Sequence, residues 1–209
     1  KHSRGSMVEH FLALAELQNP FPQAVPCLDL PLPVLQNTLS TLGLTAGTYV
    51  VLAPGAEYGP AKRWPEAHFA QWAKLAGLPV VLLGSGKEAA VCQNIADSVN
   101  SSHAGRAKNL AGATDLTQAM AVIAAAHSVV SNDSGLMHVA AAFGVPQVAV
   151  FGSSSPLHTP PLSDRARVLW LKNQADYQPP LDCAPCFERV CPLGHTRCLN
   201  DVSPAMVAQ

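Results

Sequence analysis

From Thr48 onward the chain alternates between short apolar runs and longer amphipathic stretches. Tyr49–Ala53 (YVVLA), Val80–Leu83 (VVLL), Ser128–Ser131 and Gln147–Phe151 (QVAVF) have no regular polar alternation, which predicts strands buried on both faces. Ala107–Leu110 is a weaker run of the same kind, and Val168–Leu171 reads as the last strand. Between them lie helical stretches over Pro65–Ala76, Lys87–Val99, Leu116–Ala126 and Gly135–Phe143, with Thr114 and Asp115 as capping residues before the third. Upstream, Val8–Gln18 carries an apolar stripe of Phe11, Leu12, Ala15 and Leu17. Asn19–Pro33 is a proline-rich connector, and Val34–Leu42 is a short helix. Repeated strand–loop–helix units with continuous apolar strands predict an α/β fold over roughly residues 47–171. Its form is a Rossmann-like parallel sheet with helices on both faces. Ligands in such sheets bind at the carboxyl ends of the strands, where the strand order reverses.

Composition narrows the function classes. The chain has 209 residues, 48% of them hydrophobic and 13% charged, with 13 Lys+Arg against 14 Asp+Glu and a net charge of −1. That is enough material for a buried core, and too little positive charge for a nucleic-acid-binding face. No apolar run is long enough to span a bilayer, and no secretory signal pattern follows the N-terminus. The pattern fits a cytoplasmic protein.

The least ordinary residues fall in the loops after the strands. The loop after the first strand, Pro54–Pro65 (PGAEYGPAKRWP), brings Lys62 and Arg63 to a strand's carboxyl end, where they suit an anionic ligand such as a phosphate. A solvated basic pair, with Trp64 anchoring the loop in the core, is the plainer alternative. The loop after the fourth strand, Ser131–His138 (SNDSGLMH), opens a helix at Ser134, Gly135 and Leu136. Free amides at that helix start form a ready diphosphate site, Gly135 permits close approach, and Asp133 suits sugar hydroxyls better than phosphate. An ordinary cap by Asp133 or Ser134 explains the same residues. His138, on the same helix, is placed to donate to a phosphate or a sugar. Gly84-Ser85-Gly86 after the second strand opens a helix and is a second candidate nucleotide contact, on a motif too short to be specific by itself. Neither a Walker loop nor G-x-G-x-x-G is present, and Gly152–Pro156 lacks the spacing of a hydrolase nucleophile elbow.

Four of the six cysteines, Cys183, Cys186, Cys191 and Cys198, form a C-x2-C-x4-C-x6-C cluster with His195 inside it. Three readings stay open: a structural zinc on the four thiols, reduced thiols packing a loop, and disulfide or redox use.

Taken together, Pro54–Pro65, Leu110–Leu116 (LAGATDL), Ser131–Pro156 (SNDSGLMHVAAAFGVPQVAVFGSSSP) and Cys183–Cys198 resemble the ADP-heptose:lipopolysaccharide heptosyltransferases of glycosyltransferase family 9. The resemblance runs from about Met7 to the end. It implies transfer of heptose from ADP-heptose to the lipopolysaccharide inner core by a two-domain GT-B enzyme. No metal is required for that transfer, so a zinc at the cysteines would be structural only. On the family pattern, Lys62 touches the diphosphate and steadies the leaving ADP, and Asp133 holds the heptose. Ser134, Gly135 and Leu136 offer the amides that bind the diphosphate, His138 follows as a second catalytic candidate, and Thr114 lies near the adenine. Glu88 is the candidate for the ribose contact.

The resemblance also implies a domain division. Residues 1–46 match the tail of an acceptor-binding N-terminal domain and its connector, and residues 47–209 match the nucleotide-sugar-binding domain with a cysteine-rich C-terminal segment. The acceptor domain, with its catalytic base, has no counterpart here, so this polypeptide alone is expected to be inactive in transfer. The implied acceptor is made at the cytoplasmic face of the inner membrane, which leaves peripheral membrane association open. A non-catalytic nucleotide-binding module, and another GT-B nucleotide-sugar enzyme such as an epimerase or a UDP-sugar transferase, are the competing functions.

Overall fold

A computed structural model of the chain describes residues 5–14 and 25–209. Six strands form one sheet: β1 (Val50–Ala53), β2 (Val80–Leu82), β3 (Ala107–Asn109), β4 (Ser128–Asn132), β5 (Gln147–Val150) and β6 (Ala166–Leu169). Their order is β3-β2-β1-β4-β5-β6, and every neighbouring pair is parallel. The chain therefore builds outward from β1 on one side, returns to the middle, and builds outward again from β4. Val51 faces Val129 and Leu52 faces Val130 across the reversal, and the loops that leave these two strands diverge around a crevice.

The period-2 alternation of the strands divides the core into two layers. Val50 and Leu52 of β1 pack with Trp64, Phe69, Ile95 and Leu199, under α3 (Glu66–Leu75), α4 (Ala89–Asn100) and α8 (Pro204–Ala208). Tyr49 and Val51 pack with Leu39, Val122, Ile123 and Val145 on the opposite face, under α2 (Leu32–Leu42), α5 (Leu116–Ala124) and α6 (Gly135–Ala142). A smaller cluster of Met137, Ala149, Phe151 and Trp170 closes the β5–β6 end.

Local chemistry sets the helix ends. Asp115 accepts from the Gln118 amide at 2.7 Å while the Gln118 side chain accepts from the Asp115 amide at 3.0 Å, a reciprocal cap at the expected place. Glu66 and Lys74 sit at the two ends of α3 with the signs that suit the helix dipole. Gly43 ends α2 in the left-handed conformation, at φ 61°.

Several boundaries differ from expectation. Pro65 precedes α3 as its cap residue rather than opening it. The helix expected from Lys87 begins with a 3-10 turn, Gly86–Glu88, before α4. In the expected Val8–Gln18 helix, α1 covers Met7–Leu14 with no buried residue, and residues 15–18 lie outside the described residues. Past β6 the sequence shows no periodic element, yet α7 (Arg197–Asn200) and α8 are present, and Leu199, Val202 and Val207 enter the core. Helices of four and five residues are too short to display a 3.6-residue period.

Phe69 is fully buried between the sheet and α3, whereas Leu75 at the end of the same helix is 62% exposed. Phe69→Ala should therefore lower unfolding free energy by about 3–5 kcal/mol. Leu75→Ala should stay within about 0.5 kcal/mol of the parent. Urea denaturation of the two variants checks the pair.

Candidate functional site

The loop between β1 and α3 is fastened to the end of β4 by one buried amide. Asn132, the last residue of β4, accepts from the Trp64 backbone amide at 2.9 Å and donates to the Pro54 carbonyl at 2.7 Å. Its side chain spans both ends of the loop, and the residue is inaccessible to solvent. Trp64, also buried, donates from its indole to the Val202 carbonyl at 2.8 Å and so ties the loop to the C-terminal segment. The anchoring expected of Trp64 is present.

With its ends fixed, the loop places Lys62 against the next residue of the β4 loop. The Lys62 ammonium lies 2.5 Å from Asp133 Oδ2, with side chains 18% and 5% exposed. Thr159 donates to the other carboxylate oxygen at 3.4 Å. Asp133 is thus committed to a cation and a hydroxyl and does not cap α6. Ser134 holds the cap position without a side-chain cap bond, and its hydroxyl is buried and unpaired. The first amides of α6 have no carbonyl four residues earlier in the helix, and a Cβ on Gly135 would meet nothing within 4 Å. Arg63, expected beside Lys62 as a second cation for the ligand, turns back instead. Its guanidinium donates to the Ala56 carbonyl of its own loop at 3.1 and 3.3 Å.

A cavity of about 420 Å³ opens at these strand ends. Ser134, Gly135, Leu136 and Val139 of the α6 side form one wall, and Gly55, Ala56 and Glu57 of the β1 loop form another. Leu83, Gly84, Ser85 and Glu88, with Thr114, Asp115, Leu116 and Ala119, complete it. Glu88 accepts from both the backbone amide (2.7 Å) and hydroxyl (3.0 Å) of Ser85, which holds its carboxylate against Gly55. A Cβ on Gly55 would fall 1.7 Å from Glu88 Oε1, so only glycine leaves room for that carboxylate. Of the residues singled out in the sequence, Thr114, Ser134, Gly135, Leu136 and Glu88 line the cavity. Lys62 and Asp133 form a pair beside its Ser134 edge. His138 stands one turn into α6 with its side chain exposed. Partial loss of solvation lowers the His138 pKa, Asp133 raises it and Lys62 lowers it, for a net shift below the ordinary value.

The chain resembles proteins of known sequence and structure. The family model described as glycosyltransferase family 9 (heptosyltransferase) matches residues 1–196. The chain belongs to glycosyltransferase family 9. A lipopolysaccharide heptosyltransferase 2 of Salmonella typhimurium is 44% identical over 180 residues, covering 79% of this chain and 51% of the relative. The solved structure of the E. coli ADP-heptose LPS heptosyltransferase II superposes with a TM-score of 0.80 at 37% identity, covering 97% of this chain and 60% of that one. The E. coli heptosyltransferase WaaC with ADP-2-deoxy-2-fluoro heptose gives a TM-score of 0.55 at 25% identity over 77% of this chain and 47% of its own. The chain spans about half the length of the curated family 9 relatives it matches.

The cysteine expectation is corrected. Cys183, Cys186, Cys191 and Cys198, with His195, do gather around one small cavity that Ala61 and Ser153 also line. All four are free thiols. Among the described residues, however, no group of three or more His, Cys, Asp or Glu side chains is arranged to hold a metal ion, and a structural zinc is not supported. Burial, and then the neighbouring Cys186, Cys183 and Cys191, push the Cys198 thiol up to about 12. Cys191 behaves oppositely: burial raises its pKa, but the backbone amides of Thr196, Leu193, Gly194 and His195 outweigh burial and hold it below the ordinary value.

Sequence reading missed Asn132, Tyr58 and Thr159. Asn132 stands in a run of residues that all suit a helix cap, and its one distinguishing mark is that it ends a strand whose preceding residues are apolar. NMR titration provides a test of the electrostatics. The His138 pKa should lie below the ordinary 6.5, rise in Lys62→Met and fall in Asp133→Asn, because the two charges act on it with opposite signs. In Asn132→Ala, the Trp64 amide and the Pro54 carbonyl lose their buried partner, and urea unfolding should show a loss of about 1–3 kcal/mol.

Proposed function

We propose that this chain is the donor-binding half of an inverting glycosyltransferase that moves heptose from ADP-heptose to the lipopolysaccharide inner core. The observation that carries the reading is the juxtaposition at the β1–β4 crevice. A lysine–aspartate pair flanks the free amides of α6, and a cavity beside them is lined by Thr114, Ser85 and Glu88. The diphosphate lies on the amides of Ser134, Gly135 and Leu136, where the helix dipole and the absence of a side chain at Gly135 favour an anion. The adenine occupies the end of the cavity near Thr114, and Glu88 accepts from the ribose hydroxyls.

In transfer, the acceptor hydroxyl attacks C1 of the heptose as the C1–O bond to the β-phosphate breaks, and the bond's electrons pass to the departing ADP. Lys62 and the α6 amides stabilise that charge. Asp133 accepts from heptose hydroxyls, a role open to it once Lys62 turns to the phosphate. His138 donates a ring N–H to the phosphate or the sugar. The base that takes the acceptor proton, and the acceptor site itself, belong to the other half of a protein as long as the relatives. Residues 1–46 join that half to the donor domain, and residues 47–209 form the domain that binds the nucleotide sugar. Transfer requires no metal, and the partners are the ADP-heptose donor and the inner-core acceptor, with no role for nucleic acid. Among the described residues no helix is long and apolar enough to cross a membrane; a cytoplasmic, peripheral site of action fits such an acceptor.

Calorimetric titration of this polypeptide with ADP, and with UDP as control, tests the reading. ADP should bind more tightly than UDP, and Lys62→Ala should weaken ADP about tenfold or more, the value of a charge-assisted hydrogen bond. Asp133→Asn should leave ADP affinity undiminished while weakening ADP-heptose, because the carboxylate serves the sugar and not the phosphates. Equal affinity for ADP and UDP would favour another GT-B nucleotide-sugar enzyme. In the full-length protein, undiminished turnover by Lys62→Ala would refute the leaving-group role given to Lys62.

A further inference from the structure

The loop that carries Lys62 is tied to residues 187–189 as well as to β4, and Tyr58, one side chain in that tie, is not used by the proposed chemistry. We infer that Tyr58 is a positioning residue for Lys62, and that its ring holds the ammonium at the diphosphate site without neutralising it. This rests on the reading of Lys62 as the diphosphate ligand.

The Lys62 ammonium lies 5.1 Å from the centroid of the Tyr58 ring, within reach of the ring's negative face. The Arg189 guanidinium is 5.1 Å from the same centroid. The Tyr58 hydroxyl donates to the Phe187 carbonyl at 2.7 Å, and the Phe187 amide donates to Ser153 at 2.8 Å. The Ser153 amide in turn donates to the Ala61 carbonyl at 3.2 Å, and the Ala61 amide donates to the Arg189 carbonyl at 3.1 Å. These bonds run from the Tyr58 side of Lys62 to its immediate neighbour, Ala61, by way of residues 187–189 between Cys186 and Cys191. Gly59 allows this close fit, because at φ 152° a Cβ there would lie 2.5 Å from the Arg189 carbonyl oxygen.

A lysine has a long, freely rotating stem, and fixing its ammonium costs rotamer entropy. Asp133 fixes it at 2.5 Å but cancels its charge, and a carboxylate competes with an arriving diphosphate. An aromatic face attracts the same ammonium while carrying no net charge. When Lys62 moves from Asp133 to a phosphate, the ring keeps it within the crevice with its full charge available. Arg189 on the same ring adds positive potential at the mouth.

The test uses this polypeptide with Tyr58→Leu and Tyr58→Met, which remove the ring, and Tyr58→Phe, which keeps the ring and loses the hydroxyl. Two readouts are taken. One is the rate at which an amine-acylating reagent labels Lys62, scored by peptide mass spectrometry against the exposed Lys87. The other is ADP affinity by calorimetry. Removing the ring should raise relative Lys62 labelling and weaken ADP about fivefold. Tyr58→Phe should restore both to near the parent values, which a purely structural role for the hydroxyl would not allow. Unchanged Lys62 labelling in both Tyr58→Leu and Tyr58→Met overturns the inference, as does a Tyr58→Phe variant that behaves like them. If the parent chain binds no ADP, the diphosphate reading falls, and Lys62 labelling still decides whether Tyr58 positions the amine.

Discussion

The reversal of strand order between β1 and β4 is the constraint on which the site depends. Two loops must leave adjacent strands and run in opposite directions, and the crevice between them exposes backbone that has to be satisfied. Asn132 meets that demand with one buried side chain that donates to Pro54 and accepts from Trp64. Once both ends of the β1 loop are tied to the end of β4, Lys62 and Asp133 meet without further adjustment, 71 residues apart in sequence. The α6 start and the cavity wall then follow from the next three residues of the chain.

Electrostatics at the crevice are arranged around exchange rather than permanent neutralisation. The Lys62 ammonium is paired with Asp133, and the positive potential at the crevice comes from the first amides of α6. Under the proposed function, a diphosphate sugar offers anionic oxygens to Lys62 and hydroxyls to Asp133, so both members of the pair find new partners at once. The chain belongs to glycosyltransferase family 9 and spans about half the length of its relatives, and the donor-binding role is the reading proposed above. The acceptor chemistry belongs to the other half under the proposal made here.

The cysteine-rich segment takes its place in the same arrangement. Its thiols line a small cavity next to Ala61 and Ser153, and its backbone carbonyls at Phe187 and Arg189 receive bonds from the Lys62 loop. A segment that looks like a separate metal module in sequence therefore acts, in the fold, as the outer wall behind the lysine. Its contribution is steric and through backbone hydrogen bonds, with Cys191 cradled by amides and Cys198 a half-buried free thiol.

What the sequence determined by itself is what short-range pattern can encode. Val-rich runs marked the parallel strands, the Asp115 cap marked the start of α5, and the loops carrying Lys62 and Asp133 stood out because cations, glycines and cap residues cluster there. Resemblance to family 9 then attached roles to those positions. The pattern could not show that Arg63 would turn back onto Ala56 while Lys62 turned toward Asp133, since adjacent residues with the same charge look equivalent in a string. Nor could it show that Asn132, one of several cap-like residues, would be the buried strut, or that four clustered cysteines would pack as thiols beside Ala61. Those outcomes depend on partners tens of residues away, and only the tertiary fold fixes the distances and the loss of solvent that decide between a hydrogen bond, an ion pair and an exposed side chain.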